Sequence, residues 1–190
     1  LRGQPDLYLG YDVARRRDFA VLSVVQRDGY FRKLRALVAF KGQRFGLQRA
    51  ALWEAQRHCR RGCIDATGLG MQLGEETLER FGAGAVECIE FRSAVKEDMA
   101  IRLRRGIAED KSLVLPRSKL LRESLHSVYR LTTAAGNARY DAEATDKAGH
   151  ADHFWSLGLA LLAAGDGSGG FSLPMSFGAP TWSRETAVIA

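Results

Sequence analysis

Three aspartates carry the chemistry that this sequence can support. Asp12 lies at the end of the apolar run Leu7, Tyr8, Leu9, Tyr11 and Val13, Asp65 near the end of a short apolar run over residues 62–66, and Asp152 at the start of a long apolar stretch ending at Ala164. They are too far apart in the chain for any local turn to explain all three. A carboxylate at the tip of a buried strand is costly to desolvate unless it is hydrogen-bonded, paired or bound to a cation. Three such tips can converge in a sheet fold, and a carboxylate cluster with no nearby thiol suits a hard cation such as Mg²⁺ or Mn²⁺. Taken singly, each aspartate also reads as a turn or cap residue, and Asp152 as an ordinary first-turn helix acid.

Secondary candidates surround these acids. Asp18 opens the next strand and either faces the same site across a hairpin or is a solvated turn acid beside Arg15, Arg16 and Arg17. His150 and His153 flank Asp152 and either touch a metal or phosphate or serve as surface and capping residues. The Gly68-Leu69-Gly70 turn lacks the third glycine of a dinucleotide-binding loop at position 73, and no P-loop motif occurs. Its glycines are expected to let backbone approach the metal site or a phosphate. Cys59, Cys63 and Cys88 form no paired framework and are expected to be reduced thiols. A zinc site from His58, Cys59 and Cys63 lacks a fourth ligand at finger spacing.

The 28 Lys and Arg outnumber the 22 Asp and Glu, giving a net charge of +6, which favours a polyanionic partner. Basic residues gather at Arg15 to Arg17, at Arg32, Lys33 and Arg35, at Arg57, Arg60 and Arg61, and at Arg102, Arg104 and Arg105. Such runs are either solvated faces or contacts to nucleic-acid phosphates. Arg15, Arg16 and Arg17 are the favoured DNA-binding candidates because they follow Asp12.

The elements that must position these residues follow from the hydrophobic pattern. Residues 7–13, 19–26 and 30–40 predict three antiparallel strands, with a hairpin turn at Asp28-Gly29. A helix over 47–60, a strand over 62–66, a helix over 71–81 and a strand over 85–91 then form an α/β unit. Val95, Met99, Leu103 and Ile107 mark a long helix, residues 113–115 a short strand, and Leu121, Leu125 and Val128 another helix. Residues 137–141 predict an edge strand, and 149–164 a helix apolar nearly all round and therefore buried. The 190 residues amount to about one domain, placed at 1–165, with a Gly/Ser/Pro-containing tail or linker over 166–190. No apolar run reaches the ~20 residues of a membrane span, no signal peptide opens the chain, and an intracellular protein is expected. The start at Leu1, without Met, is expected of an excerpt from a longer protein.

The segments LYLGYDVARRRDFAVLSVV, CIDATGLG, VKEDMAIRLRRGIAEDKSLVLP and GHADHFWSLGLALLA, taken in order, resemble the C-terminal nuclease domain of the large terminase subunit of tailed bacteriophages and Mu-like prophages. That family belongs to the RNase H-like superfamily. The resemblance implies an α/β RNase H-like fold, with a mixed central sheet led by three antiparallel strands and flanked by helices. It implies metal ligands at Asp12, Asp65 and Asp152, an accessory acid at Asp18 and a basic residue at Lys96 beside the site. Family members often carry a second acid next to the last ligand, whereas Ala151 and His153 flank Asp152 here. The expected activity is Mg²⁺- or Mn²⁺-dependent cleavage of double-stranded DNA at a two-metal site, in the host-cell cytoplasm, during genome packaging. Expected partners are an N-terminal ATPase domain of the same subunit, the small terminase subunit and the portal protein. Rival readings are a Holliday-junction resolvase or transposase core, half of an actin-like or sugar-kinase ATPase, and a non-catalytic DNA-binding module.

Overall fold

The computed structural model describes residues 6–13, 19–68, 70–133, 138–142 and 151–165. The Arg15–Arg17 run, Asp18, His150 and the expected tail at 166–190 lie outside the described residues. The apolar run at the start forms β1 (Leu7–Asp12), which pairs antiparallel with β2 (Phe19–Asp28), and β2 pairs antiparallel with β3 (Phe31–Lys41). The turn falls at Gly29-Tyr30, one residue later than expected, because Asp28 still pairs with Phe31. Gly29 takes φ 55° there, at the first central position of a two-residue hairpin loop.

Helix α1 (Phe45–Gln56) stops four residues before its expected end. Its last turn tightens through amides of His58 and Cys59, and the Arg60 amide is captured by the Leu7 carbonyl at 2.8 Å. That capture delivers β4 (Arg61–Asp65) parallel to β1, with Tyr11 opposite Ile64. Helix α2 (Gly70–Phe81) and β5 (Val86–Ile89), parallel to β4, complete the α/β unit. Helix α3 (Ser93–Arg104) runs into a π-helical turn (Arg105–Glu109), and β6 (Leu113–Val114) pairs parallel to β3. The sheet order is β5-β4-β1-β2-β3-β6.

Helix α4 (Lys119–His126) ends before Val128, which instead opens β7 (Val128–Thr132). This strand pairs with β8 (Ala138–Ala142) in a separate two-stranded ribbon, so the expected edge strand joins β7 and not the main sheet. The last helix, α5 (Asp152–Ala164), is buried on nearly every side. Strand alternation sorts the core into two layers. Tyr8, Val25 and Cys63 pack with Met99 and Leu103 of α3 and with α5, whereas Leu7, Leu9, Tyr11 and Ile64 pack with Leu52 of α1 and Leu73 of α2.

Candidate active site

Alternation also decides where the acids point. Asp12 shares the parity of Tyr8 and Gly10, and Asp65 that of Cys63, so both belong to the sheet face covered by α5. One residue beyond the Tyr11–Ile64 pair, the two aspartates end neighbouring parallel strands at the same sheet edge. Asp152 comes from the covering helix. Its Oδ2 accepts a 2.9 Å hydrogen bond from the backbone N–H of Phe19, the first residue of β2, on the other flank of β1. The three carboxylates therefore belong to three adjacent positions along one edge, over β4, β1 and β2. Asp12, Asp65 and Asp152 are only 7%, 6% and 6% exposed.

Close backbone approach holds this arrangement. Gly10 lies under α5, and a Cβ there would overlap the Ser156 carbonyl and the Ala160 amide nitrogen. Ser156, one turn after Asp152, is within hydrogen-bond distance of the Gly10 carbonyl (3.1 Å) and of Ser23 Oγ on β2 (2.8 Å). A hydroxyl has one proton, so Ser156 donates to the carbonyl while Ser23 donates to Ser156. Gly70, the first residue of α2, packs against the Asp65 carbonyl so closely that a Cβ would overlap it, and Gly68 takes φ 57°. The glycine turn thus serves the backbone of Asp65 itself.

The Asp65 carboxyl is pushed above the usual carboxylate range by burial, with hydrogen bonds from Thr67 and the charge of Lys96 opposing the shift. Asp65 Oδ1 accepts from the Thr67 amide at 2.9 Å. The Lys96 ammonium, one turn into α3, lies 5.0 Å from the Trp155 ring centroid and 5.7 Å from that of Phe91. On the opposite face, burial and then the Asp12 charge raise the Tyr11 phenol, which donates to Gln48 Oε1 at 2.7 Å. His153 is 1% exposed, with its ring 6.3 Å from that of Phe19, and burial pushes its pKa down. Its Nδ1 has no hydrogen-bond partner among the described residues. Its burial favours the neutral imidazole.

Sequence reasoning missed Thr67, Phe91, Trp155, Ser23 and Ser156. An Asp-x-Thr following a strand signals the amide bond to Asp65. The rest depends on contacts between distant segments.

Hard carboxylate oxygens are the donor chemistry of Mg²⁺ and Mn²⁺. Among the described residues, however, no three His, Cys, Asp or Glu side chains are drawn close enough to hold one ion together. The donor type fits such a metal, and the described residues alone do not close the cage. Cys63 packs in the α5 layer and Cys59 against the opposite one, which separates the two thiols considered for zinc. Burial raises the Cys59 thiol to about 12 and the Cys88 thiol to about 11, so both stay protonated at physiological pH.

The fold has counterparts among solved structures. The large terminase nuclease from thermophilic phage G20c with bound magnesium is 25% identical, with a TM-score of 0.67 over 84% of this chain and 82% of that one. The nuclease domain of the large terminase from bacteriophage SPP1, with bound Mn, is 12% identical, with a TM-score of 0.55 over 83% and 86%. The HK97 bacteriophage large terminase, 12% identical with a TM-score of 0.61, is matched over 84% of this chain and 40% of its own. No curated protein sequence matches. A family model described as the terminase RNaseH-like domain matches residues 9–164, and with the six-stranded mixed sheet in place the chain belongs to that family.

Proposed function

We propose that this chain is a divalent-metal-dependent endonuclease that hydrolyses double-stranded DNA during phage genome packaging. The observation that carries this reading is the placement of Asp12 and Asp65 at the ends of adjacent parallel strands, on the face where Asp152 is tied to β2. Asp12, Asp65 and Asp152 would hold Mg²⁺ or Mn²⁺, which would supply an activated water and stabilise the leaving 3′ oxygen. The protein's own groups do the positioning. Thr67 orients the Asp65 carboxylate, and the Phe19 amide orients that of Asp152. Lys96, steadied over Trp155, keeps a positive charge beside Asp65 where a scissile phosphate needs neutralising. Magnesium, cobalt and zinc in the G20c nuclease and Mn in that of SPP1 support divalent-metal use.

Asp18 and His150 remain accessory candidates by sequence, and Arg15, Arg16 and Arg17 the candidate DNA contacts. His153, packed against Phe19, remains an accessory candidate as well. Family membership supports an ATPase domain in the same subunit, the small terminase subunit and the portal as partners, and a host-cytoplasmic location. Among the described residues no helix is long and apolar enough to cross a membrane.

A non-catalytic DNA-binding module is the second reading, favoured by the ligand set that the described residues leave open. Plasmid nicking in Mn²⁺ separates the two. Asp12→Asn and Asp65→Asn should each reduce cleavage to background with an unchanged circular dichroism spectrum. Near wild-type cleavage by either variant, or none by the wild type with either metal, rejects the nuclease reading.

A further inference from the structure

The expected apolar stripe of α3 does not continue to its end. Val95, Met99 and Leu103 are buried, but the π-helical turn buries Gly106 next and leaves Ile107 41% exposed. Such turns shift the side-chain register by one residue and recur at functional sites. Ile107 joins Ile101, itself 44% exposed, over a groove of about 790 Å³ between the end of α3 and α4. Leu125 of α4 and Phe154 of α5 also line it.

Among the described residues the charged lining of this groove has one sign. Arg104, Arg117, Lys119 and Arg122 line it, and no described carboxylate does. Arg104 and Lys119 have exposed partners in Glu109 and Glu123, whereas Arg117 and Arg122 have no carboxylate partner among the described residues. Exposed ion pairs of this kind hold a side chain only weakly, leaving all four cations able to turn to a new partner.

We propose that this groove docks an amphipathic helix of a partner protein, with apolar residues at three- to four-residue spacing and Asp or Glu on its flanks. The volume accommodates a few apolar side chains but not a helix backbone, so anchors would insert while acidic flanks meet the basic rim. DNA phosphates could neutralise the rim but would leave the exposed isoleucines in water. The proposal is independent of the nuclease reading.

Fluorescence anisotropy with three labelled synthetic peptides tests it. One is a helix of about 16 residues, near the length at which isolated helices become stable, with Leu at helical spacing and Glu flanks. The second is its scrambled form, and the third replaces Glu by Lys. The wild-type chain should bind the Glu-flanked peptide best. Arg117→Glu with Arg122→Glu should weaken that binding at least about tenfold and strengthen binding of the Lys-flanked peptide. Ile107→Ser, at an exposed position, should weaken the Glu-flanked peptide with an unchanged circular dichroism spectrum. Equal binding of all three peptides, or none at all, overturns the proposal. Displacement of the Glu-flanked peptide by a short duplex whose own affinity falls in the charge-reversed variant also overturns it, and makes the surface a DNA contact.

Discussion

Asp65 is a carboxylate that the fold holds against its solvation preference. Its pKa is raised, so the protonated form is favoured in the native state, and the stability it contributes is lost as pH rises through that value. At pH 8 without metal, the ionised group opposes folding. Asn keeps an oxygen for the Thr67 amide and removes the charge. Asp65→Asn should therefore raise the metal-free melting temperature at pH 8 by a few degrees, at roughly 2–4 °C per kcal/mol for a chain of this size. The difference should shrink as pH falls through the raised Asp65 value, below which the wild-type carboxyl is neutral too. Added Mn²⁺ should raise the wild type and leave the variant unmoved. A lower metal-free melting temperature for the variant would contradict this account. Asp65 was legible as a buried acid at a strand end because an acid after an apolar strand run is rare without a reason. The Lys96 perch on Trp155 was not legible, since it depends on how α3 and α5 meet the sheet.

Helix α5 both covers the sheet and carries Asp152, so its seat on β1 sets where that carboxylate stands. The seat depends on Gly10. Gly10→Ala must push the Ser156 turn away from β1, and overpacking of this kind costs about 1–3 kcal/mol. It should lower cleavage further than the stability loss explains, because it moves Asp152 away from Asp12. Thermal melts alongside cleavage below the melting range check this, and full activity in a destabilised variant would refute it. At this scale the sequence pattern located nearly every element but missed their ends. Arg57 to Arg60 suit a helix, yet the chain leaves α1 so that Arg60 reaches Leu7. Val128 fits the α4 stripe, yet it pairs with Ala142 of β8, a partner that periodicity around Val128 cannot show. Ile107 continues the α3 spacing, yet the π-helical turn diverts it. The all-round apolar pattern of α5 did announce burial on every side.

Across the whole molecule the excess of six positive charges is not spread evenly. Arg57, Arg60 and Arg61 pair with Glu54, Asp6 and Glu87, and Arg102, Arg104 and Arg105 with Asp98, Glu109 and Asp110. Lys33 pairs with Asp28, and Arg35 donates to Gln26. Three of the four basic runs are thus largely engaged within the protein, and their pairs are mostly exposed. The fourth, Arg15 to Arg17, lies between Asp12 and Phe19, which both stand at the carboxylate edge. DNA binding is expected to be weak, indifferent to sequence and strongly weakened by salt, with a log–log slope near 0.9 per phosphate neutralised. Replacing Arg15, Arg16 and Arg17 together by Ala should flatten that slope by up to about three units, one per lost contact. Replacing Arg57, Arg60 and Arg61 by Ala should leave it nearly unchanged. Anisotropy with two unrelated duplexes over a salt series, in Ca²⁺ to limit cutting, reads both. If the second triple variant flattens the slope and the first does not, the phosphate clamp lies on the α1–β4 surface and not beside the carboxylates.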